Sequence, residues 1–215
     1  MTIFDFHITT PRLYISYANP ALDSHCDFTL ALLHGPMSVK WHPGIIEAVP
    51  DREACRKVLQ NDVDRLTKTG YGRYLVSLRP EKESAEDLEK PFSERQRHLE
   101  HVGRVSMQLA RIEGVPAPTI PDVGFNFLES YQGRGYAIEA TKGLMEYFER
   151  ERGVKVFAGC THETNEPSMK LFRKAGFRNW GSRTVKGILW SGDDVEVNIW
   201  TWGVEDGEKL EDFGF

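Results

Sequence analysis

The fold is decided by the stretch Tyr131-Gln132-Gly133-Arg134-Gly135-Tyr136-Ala137, which lies between an apolar segment and an amphipathic one. Asp122 to Leu128 has the composition of a strand, and from Ala137 apolar residues recur at helical spacing up to Gly153. The two glycines let the backbone turn sharply and leave its N–H groups accessible to a ligand. The following helix adds amides without intrahelical acceptors and the positive end of its dipole. The stretch therefore predicts a strand-loop-helix unit that binds phosphate or pyrophosphate.

Two other phosphate-binding motifs do not fit this loop. A dinucleotide-binding fingerprint requires a third glycine at position 138, where the chain has Ile138. A P-loop requires Gly-Lys-Ser/Thr, and the chain has no such run. Because an isolated Gly-x-Gly is also common in ordinary strand-to-helix turns, the loop alone leaves its ligand open.

Composition favours a single globular domain over residues 1–215. The chain has 215 residues, of which 40% are hydrophobic and 11% aromatic, enough to bury a substantial core. We expect no signal peptide and no membrane span, since no apolar run has the required length. Cys26, Cys55 and Cys160 lack metal-ligand spacing, which predicts a reducing, cytoplasmic setting and no metal. The net charge of −5 argues against nucleic-acid binding.

The remaining chain mixes predicted strands and helices. Strands are predicted at His7 to Tyr17, Tyr74 to Leu78, Val102 to Leu109, Val154 to Cys160, Trp180 to Ile188 and Val195 to Trp202. Helices are predicted at Pro20 to Leu33, Asp51 to Lys68 and Ser168 to Ala175. This order favours an α/β (α+β) fold with a mixed, twisted sheet and helices on both faces.

Three segments depart from this pattern. Met37 to Pro50 is predicted to be a loop whose Trp41 and His42 either contact a substrate or, for the tryptophan, pack onto the domain. Arg79 to Glu100 is predicted to be a solvated excursion or partly disordered, because it is rich in charged residues and serine. The acidic tail, residues 204–215, is predicted to be frayed.

The glycine loop resembles the acyl-CoA motif of the GCN5-related N-acetyltransferase (GNAT) superfamily. That motif is Gln/Arg-x-x-Gly-x-Gly/Ala, and here it is Gln132-x-x-Gly135-x-Ala137. A second family element follows in the same order and spacing, as Asn165-x-x-Ser168-x-x-Leu171-Phe172-x-x-x-Gly176-Phe177. The surrounding residues, among them Arg12-Leu13 and Val123-Gly124-Phe125, resemble the ribosomal-protein N-terminal acetyltransferase-like branch.

The resemblance implies a mostly antiparallel sheet of about seven strands whose central strands splay apart around acetyl-CoA, the co-substrate. Backbone amides of the loop would hold the pyrophosphate, and the pantetheine arm would pair with the preceding strand. Asn165 would help fix the pantetheine, although Asn is also a strong helix N-cap. The implied cofactor-binding residues are Phe125, Phe127, Gln132, Gly133, Arg134, Gly135, Tyr136, Ala137, Asn165, Ser168 and Phe172.

The implied reaction is direct attack of a neutral amine on the thioester, with the Phe127 backbone N–H stabilising the oxyanion. The acceptor would be a protein N-terminal amine or a small polyamine-like molecule. Many relatives place a glutamate base where this chain has Gly124, and a tyrosine acid where it has Phe172. Asp122, His162 and, in the loop, Glu129 are the candidate substitutes, and for each a structural role is the competing interpretation.

Two further interpretations stay open. Trp190 either closes the acceptor site or forms part of an ordinary hairpin tip, and Trp200 and Trp202 lie either in the core or at the interface of a homodimer. The absent acid and base also favour an alternative function, a catalytically silent acyl-CoA-binding or regulatory module of the same fold.

Overall fold

The computed structural model describes residues 2–189 and 192–215. The chain divides into two compact units, the first formed by Met1–Val105 and Phe125–Gly143, the second by Ser106–Gly124 and Leu144–Phe215. In the described parts of the chain, no helix combines the length and apolar composition that crossing a bilayer requires.

Eight strands and eight α-helices make up the regular structure of the described residues. The strands are β1 His7–Thr9, β2 Leu13–Ser16, β3 Gly72–Leu78, β4 His101–Gln108, β5 Asp122–Phe127, β6 Phe157–Thr161, β7 Arg178–Val185 and β8 Val195–Trp202. The helices are α1 Asp23–Leu33, α2 Pro36–Trp41, α3 Ile45–Ala48, α4 Arg52–Thr69, α5 Ala85–Glu89, α6 Phe92–Arg95, α7 Tyr136–Arg152 and α8 Glu166–Ala175. Short 3₁₀ helices lie at Ile3–Asp5, Gln96–His98, Glu129–Tyr131 and Leu210–Phe213.

The strands form a mixed, mostly antiparallel sheet in the order β1-β2-β3-β4-β5-β6-β8-β7, which confirms the predicted fold class. The parallel ladder between β5 and β6 has one recorded pair, Asp122 with Ala158. All five residues of β6, in contrast, pair with β8.

The first predicted strand is in fact a hairpin, which raises the strand number from about seven to eight. β1 and β2 pair antiparallel, with His7 opposite Ser16. The chain reverses at Thr10 and Pro11. The Thr10 hydroxyl accepts a hydrogen bond from the Leu13 N–H at 3.0 Å, and Pro11 has no N–H that could donate to a neighbouring strand. Alternating apolar residues alone do not reveal such a reversal.

Helix α4 of the first unit begins and ends where its capping residues predict. Asp51 accepts a hydrogen bond from the Ala54 N–H at 2.8 Å, and Gly70 closes the helix with φ +73°. Leu59 on this helix belongs to a buried cluster with Ala18, Cys26 and Leu75. The amphipathic face of the helix thus supplies the core of this unit.

Both segments predicted as loops contain helices. Residues 37–50 hold most of α2 and all of α3, and residues 79–100 hold α5, α6 and a 3₁₀ helix. Phe92 is buried, and the Arg95 guanidinium donates to Glu83 at 2.5 Å while Glu83 also accepts from the Tyr14 hydroxyl. Tertiary burial therefore orders a segment whose composition predicts solvation.

The second unit has its own core around β7 and β8. Val185, Val197 and Ile199 are buried there together with Leu210 of the tail. Residues 204–215, predicted to be frayed, thus include a 3₁₀ helix and a buried leucine. The buried side chain anchors a segment whose acidic composition alone favours exposure.

Two histidines are buried together in the first unit. His25 is fully buried and its ring centroid lies 4.7 Å from that of His101, whose Nδ1 is 2.8 Å from the Ser77 hydroxyl. Burial, reinforced by the charge of His101, lowers the pKa of His25 to about 3. Burial alone lowers the pKa of His101 to about 4. Both rings are therefore neutral in the folded protein near neutral pH.

We expect acid to destabilise the protein through these two histidines. Above about pH 6.5 both histidines are neutral in the folded and the unfolded protein, so they do not make the free energy of unfolding depend on pH. Below that pH the histidines bind protons in the unfolded chain but stay neutral in the folded one. The free energy of unfolding should fall by up to about 1.4 kcal/mol per pH unit for each histidine, until the folded pKa values are reached. Urea titrations between pH 7 and about pH 5, above the carboxylate range, would measure this slope. The variant His101→Gln should have a smaller slope, and an unchanged one would contradict this origin.

Candidate functional site

The glycine loop adopts the backbone that its sequence predicts. Gly133 has φ +73° and Gly135 has φ +82°, in the left-handed region that side chains with a Cβ disfavour. Gln132, Gly133 and Arg134 are exposed, and α7 begins directly after them at Tyr136. The first amides of a helix have no acceptor within it, so they are available to an anion at this end.

Side chains of the loop bind neighbouring parts of the first unit. The Gln132 side-chain amide donates to the Phe127 carbonyl at 3.0 Å. The Tyr131 hydroxyl donates to Glu100, and the Arg134 guanidinium lies 5.4 Å from the centre of the Tyr131 ring. The loop is thus anchored to the end of β5.

The backbone of β5 directs one N–H group away from β4 at the predicted oxyanion position. The Leu128 N–H donates to the Val102 carbonyl of β4 at 3.1 Å. Successive N–H groups of a strand point to opposite edges, so the Phe127 N–H points away from β4. The Phe127 carbonyl, which receives the Gln132 amide, lies at the same edge. The Phe127 ring itself is buried against Gly103, where an added Cβ would lie 2.5 Å from it.

The predicted acceptor residues Trp41 and His42 lie at the end of α2 in the same unit. Trp41 is half-buried, with the Lys40 ammonium 4.6 Å from its ring centre, and His42 is exposed. A hydrogen bond of 2.7 Å joins helix α2 to β5, from the Asn126 side-chain amide to the Ser38 hydroxyl. Trp190, the third predicted acceptor residue, lies outside the described residues.

Asp122, a candidate base in the second unit, is an ion-pair partner. The Arg111 guanidinium donates to its carboxylate and also to the Ile188 carbonyl. Gly124 lies on the same strand, and a Cβ built on it would be 2.9 Å from the Ser106 hydroxyl oxygen. The carboxylate could accept an amine proton only in competition with Arg111.

His162, the second candidate, is exposed just after β6. Its Nδ1 accepts the Thr164 N–H at 3.2 Å and lies 3.1 Å from the Thr164 hydroxyl. The hydrogen bond from the backbone assigns the proton of the neutral ring to Nε2. Nδ1, the ring nitrogen that could accept a proton, is therefore already hydrogen-bonded to Thr164.

The second motif forms the start of α8 and part of the core. Asn165 caps the helix by accepting the Ser168 N–H at 3.3 Å, as the capping interpretation predicts. Phe172 is 1% exposed and packs between Trp200 and Phe177, with ring centroids 5.9 and 4.9 Å away. Its side chain therefore lies in the core of the second unit, and its cofactor-binding role stays a prediction.

Cys160 is a partly buried residue beside the core of the second unit. It packs against the cluster around Val197 and Ile199, and burial, reinforced by the nearby charge of Asp122, raises the pKa of its thiol. A raised thiol pKa disfavours the thiolate, which is the nucleophilic form of cysteine.

Sequence reasoning missed two residues next to the loop, Arg12 and Glu139. Their side chains form a salt bridge of 2.7 Å beside Arg134 and Tyr136. Both residues were visible only as parts of the family resemblance, and their separation along the chain hides the contact. An acidic residue in the first turn of α7 is the only local signal.

Comparison with known proteins identifies the family. The acetyltransferase (GNAT) domain family matches residues 19–178. An uncharacterized N-acetyltransferase, YnaD of Bacillus subtilis (strain 168), is 36% identical over 61 residues, which cover 28% of this chain and 35% of that protein. The matched region thus spans about a third of that curated relative.

Solved structures of acetyltransferases have the same fold. A putative ribosomal-protein-serine acetyltransferase from Vibrio cholerae superposes with a TM-score of 0.69 at 14% identity, covering 94% of this chain and 100% of that one. RimL, a ribosomal L7/L12 alpha-N-protein acetyltransferase in complex with coenzyme A, gives 0.62 at 19% identity, covering 93% and 98%. The microcin C7 self-immunity acetyltransferase MccE, in complex with acetyl-CoA and AMP, gives 0.61 at 12% identity, covering 91% and 94%.

We expect Gly159→Ala to destabilise the second unit through Phe172. The added Cβ would lie 2.3 Å from the Phe172 ring, which is buried and cannot withdraw into solvent. The free energy of unfolding should fall by about 1–3 kcal/mol, as for other overpacked cores. Chemical denaturation would measure the loss, and the double variant Gly159→Ala/Phe172→Leu should recover part of it. Gly124→Ala is the matched control, since the Ser106 hydroxyl can rotate away; equal losses in both variants would contradict the packing described.

Proposed function

We propose, since the chain belongs to the GNAT acetyltransferase family, that it is an N-acetyltransferase that transfers the acetyl group of acetyl-CoA to a primary amine. The observation that carries this proposal is the loop at Gly133 and Gly135, which presents its backbone to an anion at the start of α7. One acetyltransferase domain over residues 1–215, a cytoplasmic location and a homodimer are parts of the same proposal. The three free cysteines support the location.

The amides of residues 133–137 would bind the pyrophosphate of acetyl-CoA. Loop amides and the helix dipole act on the same anion, and Arg134 adds a positive charge at an exposed position. Phe125 and Phe127 would direct their backbone groups to the pantetheine arm, since alternate residues of β5 face away from β4. The cofactor-binding roles of Asn165 and Ser168 remain predictions.

The chemical step would be attack of a neutral amine on the thioester carbonyl. The Phe127 N–H, directed away from β4, would stabilise the negative charge that develops on the carbonyl oxygen. The thiolate of CoA would leave and take up a proton. The two substrates thus supply all the atoms that react, and the protein orients them and provides hydrogen bonds.

Two candidate bases for removing a proton from the amine are already engaged in other interactions. Asp122 is paired with Arg111, and the acceptor nitrogen of His162 is bound to Thr164. An amine that is partly neutral at pH 7 needs less help: a peptide α-amine has a pKa of about 7.7–8.0, whereas a lysine amine has about 10.4. Proximity alone can then supply part of the acceleration, up to about 7–11 kcal/mol when the reactants are well oriented.

The acceptor we propose is therefore a protein N-terminal amine. The fold neighbours include a putative ribosomal-protein-serine acetyltransferase and an alpha-N-protein acetyltransferase. Trp41 is the last residue of the helix that Asn126 joins to β5, and His42 follows it, a placement that suits an acceptor site beside the thioester. Small polyamine-like amines remain the competing class within the same reaction.

One set of observations favours the alternative function, a silent acyl-CoA-binding module. The usual base position is Gly124, and the usual acid position holds the buried ring of Phe172. Such a module would bind CoA through the same loop without turning over any amine.

We expect release of CoA thiol from acetyl-CoA in the presence of peptides with a free N-terminus. At pH 7 a peptide α-amine should react more than about a hundredfold faster than a lysine side chain, because far more of it is neutral. With rising pH the lysine rate should climb about tenfold per unit, while the α-amine rate should level off above about pH 8. Thiol detection across peptides, lysine analogues and polyamines measures this. CoA binding with no release above the enzyme-free rate for any amine would favour the silent module.

We expect Gly135→Val to abolish tight CoA binding while the protein stays folded. Valine at φ +82° is strained, and its Cβ would lie 3.3 Å from the Arg12 guanidinium. Titration calorimetry should show an affinity for CoA at least about tenfold weaker. Gly114→Val is the matched control, with φ +76° in open space, and should lose comparable stability but keep its affinity. Unchanged affinity in Gly135→Val would mean that the pyrophosphate binds elsewhere.

A further inference from the structure

The turn between β1 and β2 is hydrogen-bonded to the first turn of α7 through the carboxylate of Glu139. Glu139 Oε1 accepts from the Thr10 hydroxyl at 2.7 Å and from the Arg12 backbone N–H at 2.8 Å. Glu139 Oε2 accepts from Arg12 Nε at 2.7 Å. The carboxylate is mostly buried, with 15% of its side chain exposed. Three donors of the hairpin therefore converge on a residue of the helix that follows the loop.

The same arginine contacts Arg134 and Tyr136 and lies close to Gly135 between them. Arg12 Nη1 donates to the Arg134 carbonyl at 3.1 Å, and its guanidinium carbon lies 4.7 Å from the centre of the Tyr136 ring. A Cβ on Gly135 would be 3.3 Å from Arg12 Nη2. Since guanidinium is planar and rigid, these contacts fix its position relative to both Glu139 and the loop.

A second attachment lies one helical turn further along α7. A Cβ on Gly143 would lie 2.7 Å from the Thr10 methyl group and 3.6 Å from Ile15. Gly143 and Glu139 are four residues apart, so they share a face of the helix. The hairpin thus meets the helix both by a close backbone approach and by the ion pair.

The charges at this end of α7 require compensation. Arg12 and Arg134 both lie near the positive end of the helix dipole, which disfavours them without an anion. Partial burial opposes ionisation of Glu139, but hydrogen bonds from Thr10 and Arg12 outweigh it and lower the pKa of the carboxyl. Glu139 is therefore ionised at neutral pH and offsets one guanidinium, which leaves the loop positive for a phosphate.

We propose that Arg12 and Glu139 are positioning residues that hold residues 133–136 in the conformation that binds the cofactor's pyrophosphate. This role rests on the proposed function. It assigns a task to the hairpin His7–Ser16, which lies before the region, residues 19–178, that the family match covers.

The test compares CoA affinities of Arg12→Gln, Glu139→Gln and the double variant by titration calorimetry. Each single substitution should weaken binding by about tenfold, and the double variant should be about as weak as either one, because the two residues act as a unit. Arg12→Lys should also bind weakly, since an ammonium cannot bond Glu139 and the Arg134 carbonyl with a rigid fork.

Arg52→Gln is the matched control. Arg52 is about as exposed as Arg12, at 46% against 48%, and makes a two-bond pair with Asp27 in the same unit. This variant should keep wild-type affinity. Hydrogen exchange in the CoA-free protein should show faster exchange of the amides of residues 133–137 in Arg12→Gln and not in Arg52→Gln, a local change that a general loss of stability would not produce.

The outcomes separate the two proposals. A wild-type protein that does not bind CoA overturns the proposed function, and loop exchange then still decides the positioning role. Unchanged loop exchange in Arg12→Gln overturns that role whatever the affinity. Wild-type affinity in Arg12→Gln or Arg12→Lys overturns it as well, as does a double variant about a hundredfold weaker, which would mean that the residues act independently.

Discussion

Two left-handed backbone conformations, at Gly133 and Gly135, determine how β5 leads into α7. With any other residue the turn would carry strain, because a Cβ collides with the backbone in this region of φ. The turn places the start of a 17-residue helix beside the carboxyl end of the strand. An anion at this point meets loop amides and helix dipole together, and the groups argued to bind acetyl-CoA all take their positions from it.

The first unit supports this turn with polar links between residues far apart in the chain. Gln132 binds the Phe127 carbonyl, Asn126 binds Ser38, and Glu139 binds Arg12 and Thr10. The second unit, in contrast, uses its titratable groups internally, as in the Asp122 pair with Arg111. The described residues thus include several groups placed to bind the cofactor, but no dedicated acid or base among them. The proposed chemistry therefore depends mainly on orientation and on the pKa of the acceptor amine.

Patterns that act over a few residues were predictable from the sequence. The loop glycines, the Asp51 cap and the helical period after Ala137 each encode local structure, and the family motif added the ligand class. The hairpin turn at Thr10 and the helices in residues 79–100 were missed, since burial of side chains such as Phe92 decides them. Contacts such as Arg12 with Glu139 join distant segments, and a single sequence carries no signal for their pairing.

In the hydrogen bond between Asn126 and Ser38, the asparagine amide is the donor. The Ser38 hydroxyl has one proton and donates it to the Leu32 carbonyl at 2.6 Å, so only a lone pair remains for Asn126. An amide can supply the required donor, whereas an isosteric carboxylate would compete with the Leu32 carbonyl for the single Ser38 proton. Deamidation of this one side chain, a change of a single unit of mass, would leave either the new carboxylate or the Leu32 carbonyl without the hydroxyl proton.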